Sequence, residues 1–527
     1  MIFHSPHGYL TMANRYVAIA LFLMLWMVQA SAGEKPNVLF IAVDDLKPLL
    51  GCYGETDIRT PNIDSLAQRG TVFLNASCQQ SVCAPSRASM MTGTYVDTTK
   101  VYDLKTQMRE ANPYTLTLPE YLRRHGYETT GTGKVYDPRS VDKSFDAPSW
   151  TQPFLQNAPR EYTPKGIKRP VFGYQDPEVQ KQVKAFNIWL KDNGITEQDK
   201  EAYAAARKKF PLSKPTVECL DLPDEAYNDG VFALCAMDQM KRLADGDKPF
   251  FLAVGMAKPH LPFVAPKKYW DLYDRSKIEL APFKHAPKGA PDYAGQPSWE
   301  LRSYTGVPAS PAPIAQEMQR ELIHGYRACT SYIDAQIGKV LDKLDELGLT
   351  DNTIVVLWGD HGWHLGDHGM FCKHSNYEQA VRSPLIIAAP KQKAKGAKTD
   401  SPTEFVDVFP TLCELVGLPV PKSVEGLSLL PILDDPDAMV HEAALEQYPR
   451  NSNKMGYTLR DKRYRYVKWI KMDYYAGERS GPMVANELYD YKNDPLETVN
   501  LAGNPEHKDV VANFERIFKK RGVAQEN

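Results

Sequence analysis

Residues 36–43, 249–255, 353–358 and 384–389 are short runs of nearly unbroken apolar and β-branched side chains. A strand that is apolar on both faces has to be covered on both faces, which is the condition of a largely parallel sheet between layers of helices. Three of these runs pass directly into polar groups. Asp44 and Asp45 follow the first, Lys258 and His260 the second, and Asp360 and His361 the third. Open α/β sheets collect their ligands outside the carboxyl ends of their strands. The runs therefore predict one large α/β domain with carboxylates, imidazoles and amines gathered at one rim.

Other segments fill in the frame. Leu322, Tyr326, Tyr332, Ile333, Ile337, Val340, Leu341 and Leu344 keep a helical period across 317–347, ended by Gly348. Helices are also expected from Thr60-Pro61 onward, over 117–122, over 224–243 and over 505–520. A strand at 127–131 leads into Gly133-Lys134. From 141 to about 220 the pattern weakens into a stretch rich in proline, aromatic and charged residues, with one helix over 177–190. An insertion of this kind between core elements is where specificity usually resides. Beyond Pro421 the alternation at 442–448, 457–460 and 463–470 predicts an antiparallel sheet, with Asp461-Lys462 in a turn.

At 527 residues the chain has room for a large domain and a smaller one. A net charge of −2 argues against a nucleic-acid partner, which would call for a basic excess. Eight cysteines are too sparse for a disulfide scaffold. Arg15, the apolar run 17–28 and Ala30-Ser31-Ala32 read as a signal peptide over residues 1–32, cut after Ala32. Export to a periplasm, the medium or a lysosome-like lumen follows. The run is short for a bilayer and nothing later is apolar enough to cross one, so no stable membrane span is expected. Asn75-Ala76-Ser77 matches a glycosylation pattern by coincidence.

The chemistry is concentrated in Cys83-Ala84-Pro85-Ser86-Arg87 and the strand ends. Pro85 suits the first turn of a helix, whose amino terminus would favour an anion. Asp44, Asp45, Asp360 and His361 form a hard, oxygen-rich set. It suits calcium better than zinc, since carboxylates dominate and no cysteine pair is present. Taken singly, each residue has a plainer reading: Cys83 as a buried thiol, Asp44-Asp45 as a capped strand end, the cations as solvated or packed side chains.

Cys83-Ala84-Pro85-Ser86-Arg87 resembles the maturation signature of type I sulfatases, in which the cysteine is oxidised to formylglycine. Residues 36–45, 250–255 with Lys258-Pro259-His260, Asp360-His361-Gly362-Trp363 and Leu365-Gly366 extend the resemblance to iduronate-2-sulfatase-like enzymes. The resemblance implies an alkaline-phosphatase-like α/β sandwich: a large mixed, mostly parallel sheet flanked by helices, and a smaller C-terminal antiparallel-sheet subdomain. The implied division is a catalytic domain over 33–420, with the variable insertion at 141–220, and the subdomain over 421–527. It implies a divalent cation held by Asp44, Asp45, Asp360 and the modified Cys83, with His361 as a further ligand or a support. Arg87 and Lys134 would bind the anion, and His260 and Lys373 would contact the ester bridge. His364, His368 and His374 would be supporting or solvent residues.

The implied partners are a sulfated saccharide and a formylglycine-generating or other maturation enzyme. In one place the chain departs from the pattern. A histidine is expected three residues after Lys134, and Asp137 stands there. It is expected to contact the formylglycine hydroxyl, although a carboxylate there would repel sulfate. Two other functions stay open: a phosphate or phosphonate ester hydrolase of the same fold, and a binder of sulfated glycans that is never matured.

Overall fold

The computed structural model describes residues 35–523 apart from 158, 197–198, 452, 477–478 and 480. The signal peptide expected over residues 1–32 lies outside the described residues. Seven strands form the main sheet: β1 (Asn37–Val43), β2 (Thr71–Phe73), β3 (Glu128–Gly133), β4 (Phe250–Met256), β5 (Thr353–Gly359), β6 (Leu385–Ala388) and β7 (Ala397–Thr399). Their order is β7-β2-β6-β5-β1-β4-β3. All neighbours run parallel except β6, which is antiparallel to both β2 and β5.

β1 lies between β4 and β5, so each of its faces is covered. Leu39, Ile41 and Val43 join one apolar core, and Val38, Phe40 and Ala42 the other. This is why its sequence is apolar without alternation. On the first face lie α4 (Asn228–Ala244) and the long α5 (Gln316–Glu346), through Met240, Leu322, Tyr326, Ile337 and Leu344. On the second lies α2 (Cys83–Thr92), whose residues are all buried, Arg87 included. Smaller helices complete the layers, α1 (Pro61–Arg69) among them and α3 (Pro177–Asp192) in the insertion.

Four antiparallel strands follow, β8 (Ala444–Arg450), β9 (Lys454–Arg460), β10 (Tyr464–Lys471) and β11 (Met483–Asp490), in sequential order. One face packs on α6 (Lys508–Lys520) through Tyr466, Leu488, Phe514 and Phe518. The other places Val467, Trp469 and Tyr489 against Ala294, Met370 and Tyr377. This second sheet thereby leans on the loops at the rim of the first. All eight cysteines are free thiols. Asn75 is buried, in line with the reading of its glycosylation pattern as coincidence. No helix among the described residues is long and apolar enough to cross a membrane.

Candidate active site

The carboxyl ends of β1, β3, β4 and β5 converge on the amino terminus of α2. Asp45 turns the chain away from β1 with φ of 58°, a left-handed conformation that aspartate tolerates better than most residues. The turn is held from both sides: the Asp45 N–H donates to Asp360 Oδ1 (2.9 Å) and the Tyr326 hydroxyl donates to the Asp45 carbonyl (2.8 Å). Gly133, at φ 75°, and Gly255 bring β3 and β4 unusually close. A Cβ on Gly133 would stand 1.9 Å from the Gly255 carbonyl oxygen, and one on Gly255 would meet the Lys134 backbone at 2.2 Å. That approach carries Lys134 over the rim.

Cys83 is the first residue of α2, which puts Pro85 in the helix's first turn. Its Sγ lies 3.4 Å from His361 Nε2, 3.7 Å from Lys134 Nζ and 3.9 Å from Asp45 Oδ1. Burial, and then the Asp44 carboxylate, push the thiol well above its ordinary pKa, so the unmodified side chain is neutral and a poor nucleophile. Lys134 Nζ also donates to Asp44 Oδ2 at 2.5 Å, and Asp44 holds its ammonium charged against the cost of burial. Burial would raise the Asp44 carboxyl, but Lys134 and Arg87 keep it well below the usual range. Asp45 goes the other way. Burial raises it, Lys373 only partly offsets this, and Asp44, Glu300 and Asp360 add like charge.

That crowding of carboxylates fits a hard divalent cation. One ligand atom each from Asp45, Cys83, Asp360 and His361 lies within 4.8 Å of the others, as do atoms of Asp44, Asp45 and His260. Carboxylate oxygens with one imidazole are a donor set for calcium or magnesium rather than for a thiolate metal.

Arg87 reaches into the same cluster from α2. It faces no open space: its Nε donates to Asp360 Oδ2 (2.9 Å), Nη2 to Asp44 Oδ1 (2.9 Å) and Nη1 to the carbonyls of Lys134 and Val135. With the side chain fully buried, it clamps two carboxylates. Asp137 is likewise turned away. Arg139 grips it with Nε at 2.9 Å and Nη2 at 2.7 Å, and Lys134 Nζ is 3.9 Å off. Among the described residues no hydrogen bond joins Asp137 to Cys83. Burial would raise its carboxyl, but Arg139 and Lys134 hold it at about 2.

His260 follows β4 and directs Nε2 to within 3.3 Å of Glu300 and 3.7 Å of Asp45. Burial, and then Lys373, lower its pKa to about 3. Lys373 Nζ bridges Asp45 (3.0 Å) and Glu300 (3.1 Å) beneath the Trp363 ring. His364, His368 and His374 are all buried, so none is a solvent residue. His374 reaches Glu300 at 3.4 Å and the Tyr448 hydroxyl at 2.7 Å, which ties the second sheet to the site. A cavity of about 240 Å³ opens over this cluster, lined by Asp44, Lys134 and His260 on one side and Phe172, Asn228 and Lys258 on the other.

The sulfatase family profile matches residues 36–418, which hold every one of these groups except Tyr448. The chain belongs to the sulfatase family. A second profile, the C-terminal region of N-sulphoglucosamine sulphohydrolase, matches residues 366–523. Iduronate 2-sulfatase of Mus musculus is 34% identical, with 90% of this chain and 92% of that one aligned. The Homo sapiens enzyme is 32% identical over 91% and 93%. Among solved structures, a protein in complex with its substrate D-glucosamine-2-N,6-O-disulfate superposes with a TM-score of 0.68 at 20% identity, covering 93% of this chain and 97% of that one. A phosphonate monoester hydrolase of Agrobacterium radiobacter gives 0.67 at 23%, covering 93% and 96%. The family and its relatives make this sulfatase a sulfuric ester hydrolase with an alkaline-phosphatase-like fold.

Glu300 was not visible in this sulfatase's sequence. It sits on a single helical turn, Trp299–Arg302, in a segment without period, yet His260, Lys373 and His374 all meet on it. Lys373 holds its carboxyl well below the usual range against the effect of burial. No apolar period and no strand end frames it along the chain, so only the fold brings its partners to it.

Proposed function

We propose that this sulfatase is exported and removes sulfate from a sulfated carbohydrate, in the manner of the iduronate 2-sulfatases, with a 2-O-sulfated uronic acid unit of a glycosaminoglycan-like chain as its substrate. The observation that carries the reading is the setting of Cys83: a helix amino terminus ringed by Asp45, His361 and Lys134 within 3.4–3.9 Å. Oxidised to formylglycine and hydrated, residue 83 supplies one hydroxyl for attack on sulfur and a second that expels the sulfated adduct. Asp44, Asp45, Asp360, His361 and residue 83 would hold a divalent cation, best matched by Ca²⁺, which would neutralise charge on the sulfate oxygens.

The remaining work falls to the chain's own side chains. Lys134, kept charged by Asp44, faces the cavity and binds a sulfate oxygen. Arg87 fixes the Asp44 and Asp360 carboxylates so that both stay aimed at one point. His260 presents a neutral imidazole to the cavity, and Lys373, the group of the set that stays protonated, supplies the proton for the departing alcohol. His361 stands beside residue 83 and orients it.

Protein produced with a sulfatase-maturation enzyme is assayed on aryl sulfate, aryl phosphate and a phosphonate monoester, and its Cys83 peptide is weighed. Preferential sulfate release, together with the mass of an aldehyde or its hydrate, is the expected result. A thiol mass in competently matured protein would sink the enzyme reading and leave a glycan binder. Preference for the phosphonate would move the chain to the other hydrolase class of the fold. Desulfation of defined glycosaminoglycan oligosaccharides then identifies the sugar.

A further inference from the structure

In the insertion, Val171 and Tyr174 face each other in an isolated antiparallel bridge, hydrogen-bonded in both directions at 3.0 and 3.1 Å. The two residues between them, Phe172 and Gly173, have φ of 51° and 93°. Positive φ at both central positions is the type I′ hairpin turn, in which the first position favours asparagine, aspartate or glycine. A phenylalanine is a strained choice there, and it gains nothing from burial, since Phe172 is 72% exposed. Strain of this kind persists where the surroundings impose it, and it concentrates at ligand sites.

The position of the ring accounts for it. On one side is the 240 Å³ cavity with Asp44, Lys134 and His260; on the other is a second cavity of about 310 Å³. Phe172, Leu261 and Pro262 form the wall common to both. The second cavity is lined by Tyr174, Phe186, Tyr203 and Tyr304 together with Asn187, Ser213 and Lys214. Aromatic walls with a few hydroxyl and amide groups suit a pyranose ring, which offers apolar C–H faces and a belt of hydroxyls. Its carboxylate-free lining distinguishes it from the reacting site and suits a ring that is held, not cleaved.

We propose that this second cavity is a subsite for the sugar ring adjoining the sulfated one, with Phe172 as the platform between the two rings. The inference rests on the saccharide reading above and adds that the substrate is at least a disaccharide. Phe172→Asn is the decisive variant, because asparagine is a residue the turn prefers, and its melting temperature should match or exceed the wild type's. The two proteins are compared on the methyl glycoside of a 2-O-sulfated uronic acid and on the same unit joined to a second sugar.

Wild-type kcat/KM should favour the disaccharide by tenfold or more. The variant should lose that preference because its KM rises about tenfold more for the disaccharide than for the monosaccharide. Equal wild-type constants for the two substrates overturn the subsite, as does a variant that keeps the preference or loses both activities alike. A wild type that cleaves aryl sulfate but neither saccharide overturns the subsite together with the saccharide reading beneath it.

Discussion

Arg87 uses its guanidinium entirely on the protein: two carboxylates and two backbone carbonyls. A buried arginine is planar, always charged and rigid in its donor geometry, so it fixes carboxylate direction in a way that lysine could not. Glu300 has the opposite task, gathering three basic side chains around one carboxylate. Glu300→Gln keeps the shape but removes the charge that balances Lys373. The expected result is a folded protein with kcat lower by about 10–100-fold, the range seen when a supporting partner of a site is lost, measured by steady-state assay beside a melting curve. Asp137 acts at one remove, through Arg139 and Lys134. Asp137→Asn should therefore raise KM while leaving kcat near the wild-type value. Build-up of sulfated enzyme in that variant would place Asp137 in the release step instead.

The helix Val408–Leu415 and strand β8 are joined by a buried ionic cluster at some remove from the catalytic rim. His441 Nε2 lies 2.9 Å from Asp407 Oδ2, with Glu404 at 4.0 Å from Nδ1 and Arg521 paired to Glu404 at 2.9 Å. Burial would lower the imidazole, but Asp407 and then Glu404 raise it to about 9. The unfolded value is about 6.5. A folded pKa above the unfolded one contributes stability that is complete below about pH 6.5 and is lost as pH rises through 9. Melting temperature should thus fall between pH 7 and 10 in the wild type, and a His441→Gln protein should start lower and change less over that interval. The same junction shows what a sequence discloses. β1, β4 and β5 could be read because their apolar runs need cover on both faces, and their polar ends could be read because strand ends collect ligands. Residues such as Glu404 and Asp407 gave no such sign, since a buried charge is defined by partners brought from 117 and 34 residues away. Phe172 was hidden for a different reason: its turn uses a residue that no turn preference selects.

Taken whole, the molecule presses four carboxylates and three cationic side chains into one rim: Asp44, Asp45, Asp360 and Glu300 against Arg87, Lys134 and Lys373. Burial and like charge raise the Asp45 carboxyl, which a bound cation would counter. A ligand that binds only the folded state stabilises it by about 2.7 kcal/mol at 100 times its Kd. Chelation should therefore lower the melting temperature and abolish sulfate release together, with Ca²⁺ restoring both and Zn²⁺ restoring neither. Recovery by zinc alone would overturn the oxygen-ligand assignment. The architecture and the residues of the rim were legible in advance, but their directions were not. Arg87 points onto the buried Asp44 and Asp360, and Asp137 onto Arg139 two residues on, directions that the motif's spacing does not reveal. Finally, Cys83 is 1% exposed at the base of this rim. A visiting oxidase has no path to it once the sheet and α2 have closed. The conversion proposed for Cys83 would therefore have to precede closure of the fold, and the active fraction of a preparation would record how often it did.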